Sequence, residues 1–399
     1  MKRILMNSRL FKILIITLII LVVLILMNSR LLKILIITLI ILVVLILISS
    51  LFIKLYIPFG GTPSSSDREN YKKRASNYKD GKFYNENDFQ MIYKQTEKNT
   101  YTSPKKTAPI ESLPTKEPLI IQEPNKEDLN ITWLGHSTIL MNINGMNILI
   151  DPVFSNYTSP VSFVGPTRYS QLPIDIKDLP KIDIIVISHN HYDHLDYKTI
   201  KLIDNKVDKY IVPLGVEKHL ERWKVKSSKI TNMAWWEEIN INGLLIGCTP
   251  ARHFSSRTML DKYNTLWASF VFINEKYKVF ISGDSGYDEH FKKINKKYGN
   301  FDLSLIDAGQ YDVKWKSTHM IPEQSVQAGI DLNSKVIMPI HNSSFILSSH
   351  PWDDPLERFA LESERKNIKY ITPMIGETIN YKDNISTSKW WENIKWLYW

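Results

Sequence analysis

The chain has 399 residues, enough for one large domain or two of medium size. Its single cysteine, Cys248, excludes an intramolecular disulfide and so a disulfide-built scaffold, while an apolar fraction of 44% is ordinary for a globular core. The formal charge of +9 suits an anionic partner (nucleic acid, a phospholipid surface or a phosphate-bearing substrate), and a solvated Lys-rich surface gives the same figure.

Residues 6–26 (MNSRLFKILIITLIILVVLIL) recur as 27–47 and differ only at Phe11 against Leu32. Crossing about 30 Å of hydrocarbon takes roughly 20 apolar residues. The stretch between Lys33 and Lys54 meets that length, and the stretch between Lys12 and Arg30 falls short. No small-residue cleavage site follows, so residues 1–54 read as an uncleaved membrane anchor. Lys2, Arg3, Arg9, Lys12, Arg30 and Lys33 precede the better span. One span then exports the rest of the chain, whereas a two-span hairpin keeps it cytoplasmic; the single span is the favoured reading.

Residues 55–129 begin Gly/Pro/Ser-rich and continue Lys-rich and Pro-broken, which predicts a linker and a surface arm with little regular structure. From residue 130 to 381 the texture is that of a layered α/β domain. Runs at 131–134, 137–143, 147–150, 182–188, 210–213, 239–248, 268–273, 278–282, 303–306 and 336–340 read as strands, with Asn144-Gly145 a hairpin signal. Runs at 197–203, 323–331 and 355–366 read as helices. Cys248, at the end of an apolar strand run, reads as a buried inert thiol. Residues 382–399 form a Trp-rich tail. As a helix it gathers Trp391, Ile394 and Tyr398 on one side, a pattern suited to a lipid interface. Packing against the domain, or against a second subunit of a homodimer, is the other reading of the tail.

The strongest chemical signal is His189-Asn190-His191-Tyr192-Asp193-His194, directly after the run ending at Ser188. Zinc takes imidazole nitrogen and carboxylate oxygen, and four such groups in six residues crowd one tetrahedral ion. Two adjacent ions divide them more easily, His189 and His191 toward one and Asp193 and His194 toward the other. Further ligands are then needed from afar. His253, Asp284 in Ser282-Gly283-Asp284-Ser285-Gly286, and His341 each follow a predicted strand. An aspartate between two cations bridges them and offsets their repulsion.

This pattern resembles the metallo-β-lactamase superfamily. Thr132-Trp133-Leu134-Gly135-His136, Asp151-Pro152, Ser188–Asp196 (SHNHYDHLD), Trp235-Trp236-Glu237-Glu238 and Gly283–Tyr287 (GDSGY) narrow the resemblance to the N-acylphosphatidylethanolamine-hydrolysing phospholipase D family, over roughly residues 81–381. The resemblance implies a four-layer αβ/βα sandwich with two Zn2+ at one edge of the paired sheets. It implies His189, His191 and His253 on the first zinc, Asp193, His194 and His341 on the second, and Asp284 between them. Thr318-His319-Met320 matches a family histidine, which gives His319 a role at the substrate phosphate or in support of the metal ligands; a neighbour of a helix N-cap is its other reading. Asp193, Asp284 and His319 are thereby the candidate catalytic residues. Two zincs about 3.5–4 Å apart share a water and lower its pKa. The implied reaction hydrolyses a membrane phospholipid, N-acylphosphatidylethanolamine, to N-acylethanolamine and phosphatidic acid. Rival readings are a lactonase or general phosphodiesterase on the same site, and a membrane scaffold whose metal is structural. A nuclease is disfavoured, because no nucleic-acid-binding appendage accompanies the charge.

Overall fold

The computed structural model describes residues 13, 15–20, 22, 30–88, 107–383 and 388–394. The chain forms two compact units, Met1–Phe59 and Gly60–Trp399. In the first, helix α1 (Arg30–Leu55) carries the second copy of the repeat. Its apolar stretch Leu32–Leu55 has 24 residues, about 36 Å of helix, enough to cross a membrane by length and composition. Ile34, Leu35, Ile41, Leu42 and Ile48 are exposed, so no polar face marks a soluble core helix. The hydroxyl of Thr38 is returned to Ile34 O at 2.9 Å. Most of the first copy, on which the choice between one span and two falls, lies outside the described residues.

The second unit begins at Gly60 rather than at residue 130. The segment expected to be an irregular arm holds α2 (Ser65–Arg74) and a hairpin, β1 (Tyr78–Lys79) and β2 (Lys82–Phe83). A capping box starts α2: Ser64 Oγ accepts from Asp67 N, and Ser64 N donates to Asp67 Oδ2 at 2.7 Å. Tyr71, Tyr78 and Phe83 are buried as one aromatic cluster with ring centroids 4.6–5.8 Å apart. Three aromatics suffice to seat a polar segment whose remaining surface stays wet, which is why its composition hid the helix. Arg74 adds a bidentate pair to Glu237 at 2.9 and 2.5 Å.

The strands that follow are β3 (Leu129–Trp133), β4 (Ile139–Ile143), β5 (Met146–Ile150), β6 (Ile182–Val186), β7 (Val207–Pro213) and β8 (Ile230–Met233), with helices α3 (Tyr197–Ile203) and α4 (Glu217–Arg222) between them. Then come β9 (Glu238–Ile241), β10 (Leu244–Thr249), β11 (Ser269–Ile273), β12 (Lys278–Ile281), α5 (His290–Tyr298), β13 (Leu303–Asp307), α6 (Pro322–Asp331), β14 (Val336–Ile340), α7 (Asp354–Arg365), β15 (Lys369–Tyr370) and β16 (Thr378–Asn380). They make two seven-stranded sheets, ordered β16-β3-β4-β5-β6-β7-β8 and β15-β14-β13-β12-β11-β10-β9. Each runs from antiparallel hairpins into parallel strands, at β5–β6 in one and β12–β13 in the other.

Alternation along the strands explains the layering. Ile139, Met141 and Ile143 of β4 join a core shared with Phe270, Phe272 and Phe280 of the opposite sheet. Leu140, Leu149, Ile185 and Tyr210 turn outward to pack with Ile200 of α3 and Leu220 of α4. The result is the four-layer αβ/βα sandwich. Its layering leaves the C-terminal ends of the parallel strands as loops at one edge, and those loops carry the polar cluster described next. The tail departs from the expected interfacial helix. Trp390–Asn393 is a short 3-10 turn, and both Trp390 and Trp391 are buried, Trp391 Nε1 donating to Glu357 Oε2 at 2.9 Å. Burying two indoles against α7 gains more than exposing them to solvent; Tyr398 lies outside the described residues.

Candidate metal centre

Four loops supply the expected ligands, each leaving a strand of the sandwich. His189, His191, Asp193 and His194 follow β6; His253 follows β10; Asp284 follows β12; His341 follows β14. His341 sits at φ 67°, which turns the chain sharply off the strand end. The turn closes over Gly309, where an added Cβ would meet His341 O at 2.0 Å, so no side chain fits there.

The donor atoms fall into groups within 4.8 Å of one another. His189, His191, His253 and Asp284 form one; His136, Asp193, His194 and His341 form the next. In the first, His191 Nδ1 is 2.9 Å from His189 Nε2 and 3.2 Å from His253 Nε2. Asp284 Oδ2 is 3.6 Å from His189 Nε2 and 3.7 Å from His253 Nε2. In the second, Asp193 Oδ2 lies 3.0 Å from His136 Nε2, 3.3 Å from His341 Nε2 and 3.6 Å from His194 Nε2. Asp284 reaches this group too, with Oδ1 3.1 Å from His194 Nε2 and Oδ2 3.2 Å from His341 Nε2. Donors around a tetrahedral zinc at about 2.0–2.1 Å stand roughly 3.3–3.4 Å apart, and the observed spacings bracket that value. His194 Nε2 and Asp284 Oδ1 are buried with no hydrogen-bond partner, as ligand atoms directed at a cation are. The residues present therefore fit two adjacent divalent cations sharing Asp284.

Outer contacts fix which nitrogen each ring presents. Asp151 Oδ2 accepts from His194 Nδ1 at 2.8 Å and from Ser188 Oγ at 2.6 Å. Thr318 O accepts from His253 Nδ1 at 3.0 Å. Both rings are thus held with Nε2 toward the cluster. Burial drives His189 and His253 well below the usual imidazole range and His191 down to about 4, which keeps them neutral as ligands must be. Burial alone would raise Asp284 and Asp193, but the neighbouring imidazoles, His194 foremost, hold both carboxyls well below the usual range. Burial opposes protonation of His194 and His341, yet the facing carboxylates, Asp284 foremost, lift the first well above its ordinary value and the second to about 10. Carboxylates packed among imidazoles draw positive charge, and metal binding here displaces protons.

His319 stands in a third group with Asp284, Asp307 and His341. Its Nδ1 is 3.0 Å from Asp307 Oδ2, and its ring stacks on His341 at 5.0 Å between centroids. A cavity of about 300 Å3 opens beside the cluster, lined by His191, Asp193, Asp284 and His319 and walled by Phe254 and Trp315. Three residues of the site had no assigned role in the sequence reading. His136 and Asp151 lay inside quoted motifs without a function; Asp307 ends an apolar strand and carried no local signal. Only the packing of β13 beside β14 places Asp307 against His341.

Comparison with known proteins identifies the family and the fold. Residues 146–342 match the family model described as the β-lactamase superfamily domain. An uncharacterised protein of Mycobacterium tuberculosis is 34% identical over 345 residues, covering 83% of this chain and 92% of that one. The N-acyl-phosphatidylethanolamine-hydrolyzing phospholipase D 1 of Caenorhabditis elegans is 32% identical over 308 residues, covering 73% of this chain and 86% of that one. Among solved structures, Igni18, a metallo hydrolase of Ignicoccus hospitalis, superposes with a TM-score of 0.51 at 20% identity, over 64% of this chain and all of that one, a likeness of fold.

Proposed function

This chain belongs to the metallo-β-lactamase superfamily and is a metal-dependent hydrolase, and from that premise we propose that it is a zinc phosphodiesterase of phospholipase D type. In this reading it hydrolyses N-acylphosphatidylethanolamine to N-acylethanolamine and phosphatidic acid. The observation that carries it is one carboxylate, Asp284, within reach of both donor groups beside a cavity that His319 lines. The name of the C. elegans relative, at 32% identity, supplies the substrate class.

Two bound zinc ions would supply an activated water and neutralise charge on the phosphoryl oxygens. His189, His191 and His253 would hold one and Asp193, His194 and His341, with His136 beside them, the other. Asp284, reaching both groups, would set their separation. His319 donates its Nδ1 proton to Asp307, which leaves Nε2 to hold or release a proton toward a phosphoryl or leaving-group oxygen in the cavity. Phe254 and Trp315 exclude water from that side of the cavity. A cavity of about 300 Å3 takes a phosphodiester headgroup and leaves two acyl chains outside it. The apolar helix α1 would anchor the enzyme to the membrane that holds such a substrate.

The purified full chain, with its metal content measured, is tested on N-acylated phosphatidylethanolamine, a simple phosphodiester, a lactone and RNA. Release of N-acylethanolamine at the highest kcat/KM, lost on chelation and restored by zinc, is the expected result. Preferred turnover of the lactone or of RNA would overturn the phospholipase reading and leave the metallo-hydrolase standing.

A further inference from the structure

Large apolar side chains stand in water on two loops rooted near residues that line the cavity. Met259 is 97% exposed and Leu260 77%; Phe163 is 83% exposed and Val164 59%. Each loop is tied to a cavity wall. The first runs on from Phe254, which lines the cavity, and returns through Lys262, whose Nζ stands 5.8 Å over the Phe254 ring. The second is closed by the Tyr157–Thr167 bridge, and its neighbour Arg168 pairs with Phe345, two residues before the lining residue Leu347. Arg168 also lies 4.4 Å over the Phe345 ring. Adjacent exposed apolar pairs on two such loops exceed the scattered single residues of an ordinary surface.

We propose that these two loop tips dock on a lipid bilayer, seating the cavity mouth against the membrane surface. The charges beside them favour this occupant. Lys262 stands at the root of one tip, and Lys314 and Lys316 flank Trp315, which walls the cavity between them. Two carboxylates beside them are held by backbone donors: Asp261 Oδ1 accepts from Arg257 N and Thr258 N, and Asp312 Oδ1 accepts from Lys314 N. Apolar tips with a lysine at the root of one, and a lysine-flanked indole in the cavity wall, match the headgroup region of an anionic leaflet. The chain also carries α1, whose apolar stretch ends at Leu55, five residues before the second unit begins at Gly60. The purpose of docking rests on the phospholipid reading above; the docking itself does not.

The sole cysteine, Cys248, is buried, so an introduced cysteine takes a label alone. Phe163→Cys, Met259→Cys and, as a control on exposed Leu361 of α7, Leu361→Cys are labelled with an environment-sensitive dye. Each full chain is reconstituted in mixed phosphatidylcholine–phosphatidylglycerol vesicles, with and without spin-labelled lipid. A blue shift with quenching by spin-labelled lipid at 163 and 259, and neither at 361, is the expected result. No quenching at 163 and 259, or equal quenching at all three, overturns the proposal. A blue shift without lipid quenching that fades on dilution assigns the tips to a second copy of the chain and also overturns it. Replacing Met259 and Leu260 together by Asp should lower turnover of vesicle lipid about tenfold or more and leave a soluble phosphodiester unaffected. Quenching as expected with no N-acylethanolamine release would keep the docking surface and remove the substrate assignment.

Discussion

Asp307→Asn tests how the outer contacts hold the site. The carboxylate of Asp307 is buried, with two nitrogens facing each oxygen. Oδ2 accepts from Ser285 N at 3.1 Å and His319 Nδ1 at 3.0 Å; Oδ1 accepts from Gly309 N at 3.3 Å and faces His341 Nδ1 at 3.4 Å. An asparagine is isosteric but carries one acceptor oxygen and one NH2. Whichever way it turns, its NH2 meets a backbone N–H, of Ser285 or of Gly309. The histidine on that side can switch tautomer and accept; the backbone donor cannot. One buried donor left unmatched costs about 1–3 kcal/mol. The tautomer switch then changes either the proton of His319 or the ring nitrogen of His341 that faces Asp193 and Asp284. Loss of an outer-shell partner of this kind lowers metal affinity or activity by roughly 10–100-fold. Urea denaturation, zinc affinity by competition with a chelator, and kcat/KM together read the effect. The expected outcome is a folded protein, slightly less stable, with activity or zinc affinity reduced by that factor. Wild-type values for all three would refute the reasoning.

Gly309→Ala places a methyl 2.0 Å from His341 O and 3.1 Å from the Asn342 side chain. The loop must shift, at roughly 1–3 kcal/mol or more, so weaker zinc binding with reduced stability is expected; unchanged zinc affinity would contradict the packing. Tyr71→Phe leaves the buried carboxylate of Glu217 with Gly215 N at 2.6 Å and without the Tyr71 hydroxyl that now donates to it. Burial raises the Glu217 carboxyl above its ordinary 4.5, so this group favours folding below that value and withdraws support as pH rises through its folded value. Tyr71 opposes the rise, so its removal should cost little at pH 4.5 and about 1–3 kcal/mol at alkaline pH. Denaturation midpoints of variant and wild type across pH measure this, and a deficit that shrinks toward alkaline pH would exclude it.

Much of the sandwich is written locally. The stretch 184–187 is apolar without break because this strand is buried on both faces, between the shared core and α3. Asn144-Gly145 marks its hairpin, both residues at positive φ. Asn242-Gly243 makes the same turn between β9 and β10, yet flanking isoleucines and leucines read it as one continuous strand, 239–248. The helix α5 escaped notice because only His290, Phe291 and Ile294 are buried along it and its lysines dominate the composition. Of the site, the dense cluster and the distant ligands that follow predicted strands were visible, and Asp307, placed by topology alone, was not. Four donors in six residues identify themselves, whereas Asp307 earns its position only from strand order. The arm and the tail failed for one physical reason. A polar or mixed segment can be fastened by two or three buried aromatics, Tyr71 and Phe83 in the arm and Trp390 and Trp391 in the tail, and no periodicity reports that.

The account turns on two cations sharing one carboxylate. Metal analysis of the purified full chain, wild type beside Asp284→Asn, tests this most directly. Asn keeps the shape and removes the charge that faces both donor groups. The expected result is about two zinc per wild-type chain and loss of zinc and hydrolysis together in the variant, its circular dichroism unchanged. A variant that keeps full metal content and full activity, or a wild type fully active with a single ion, would contradict it.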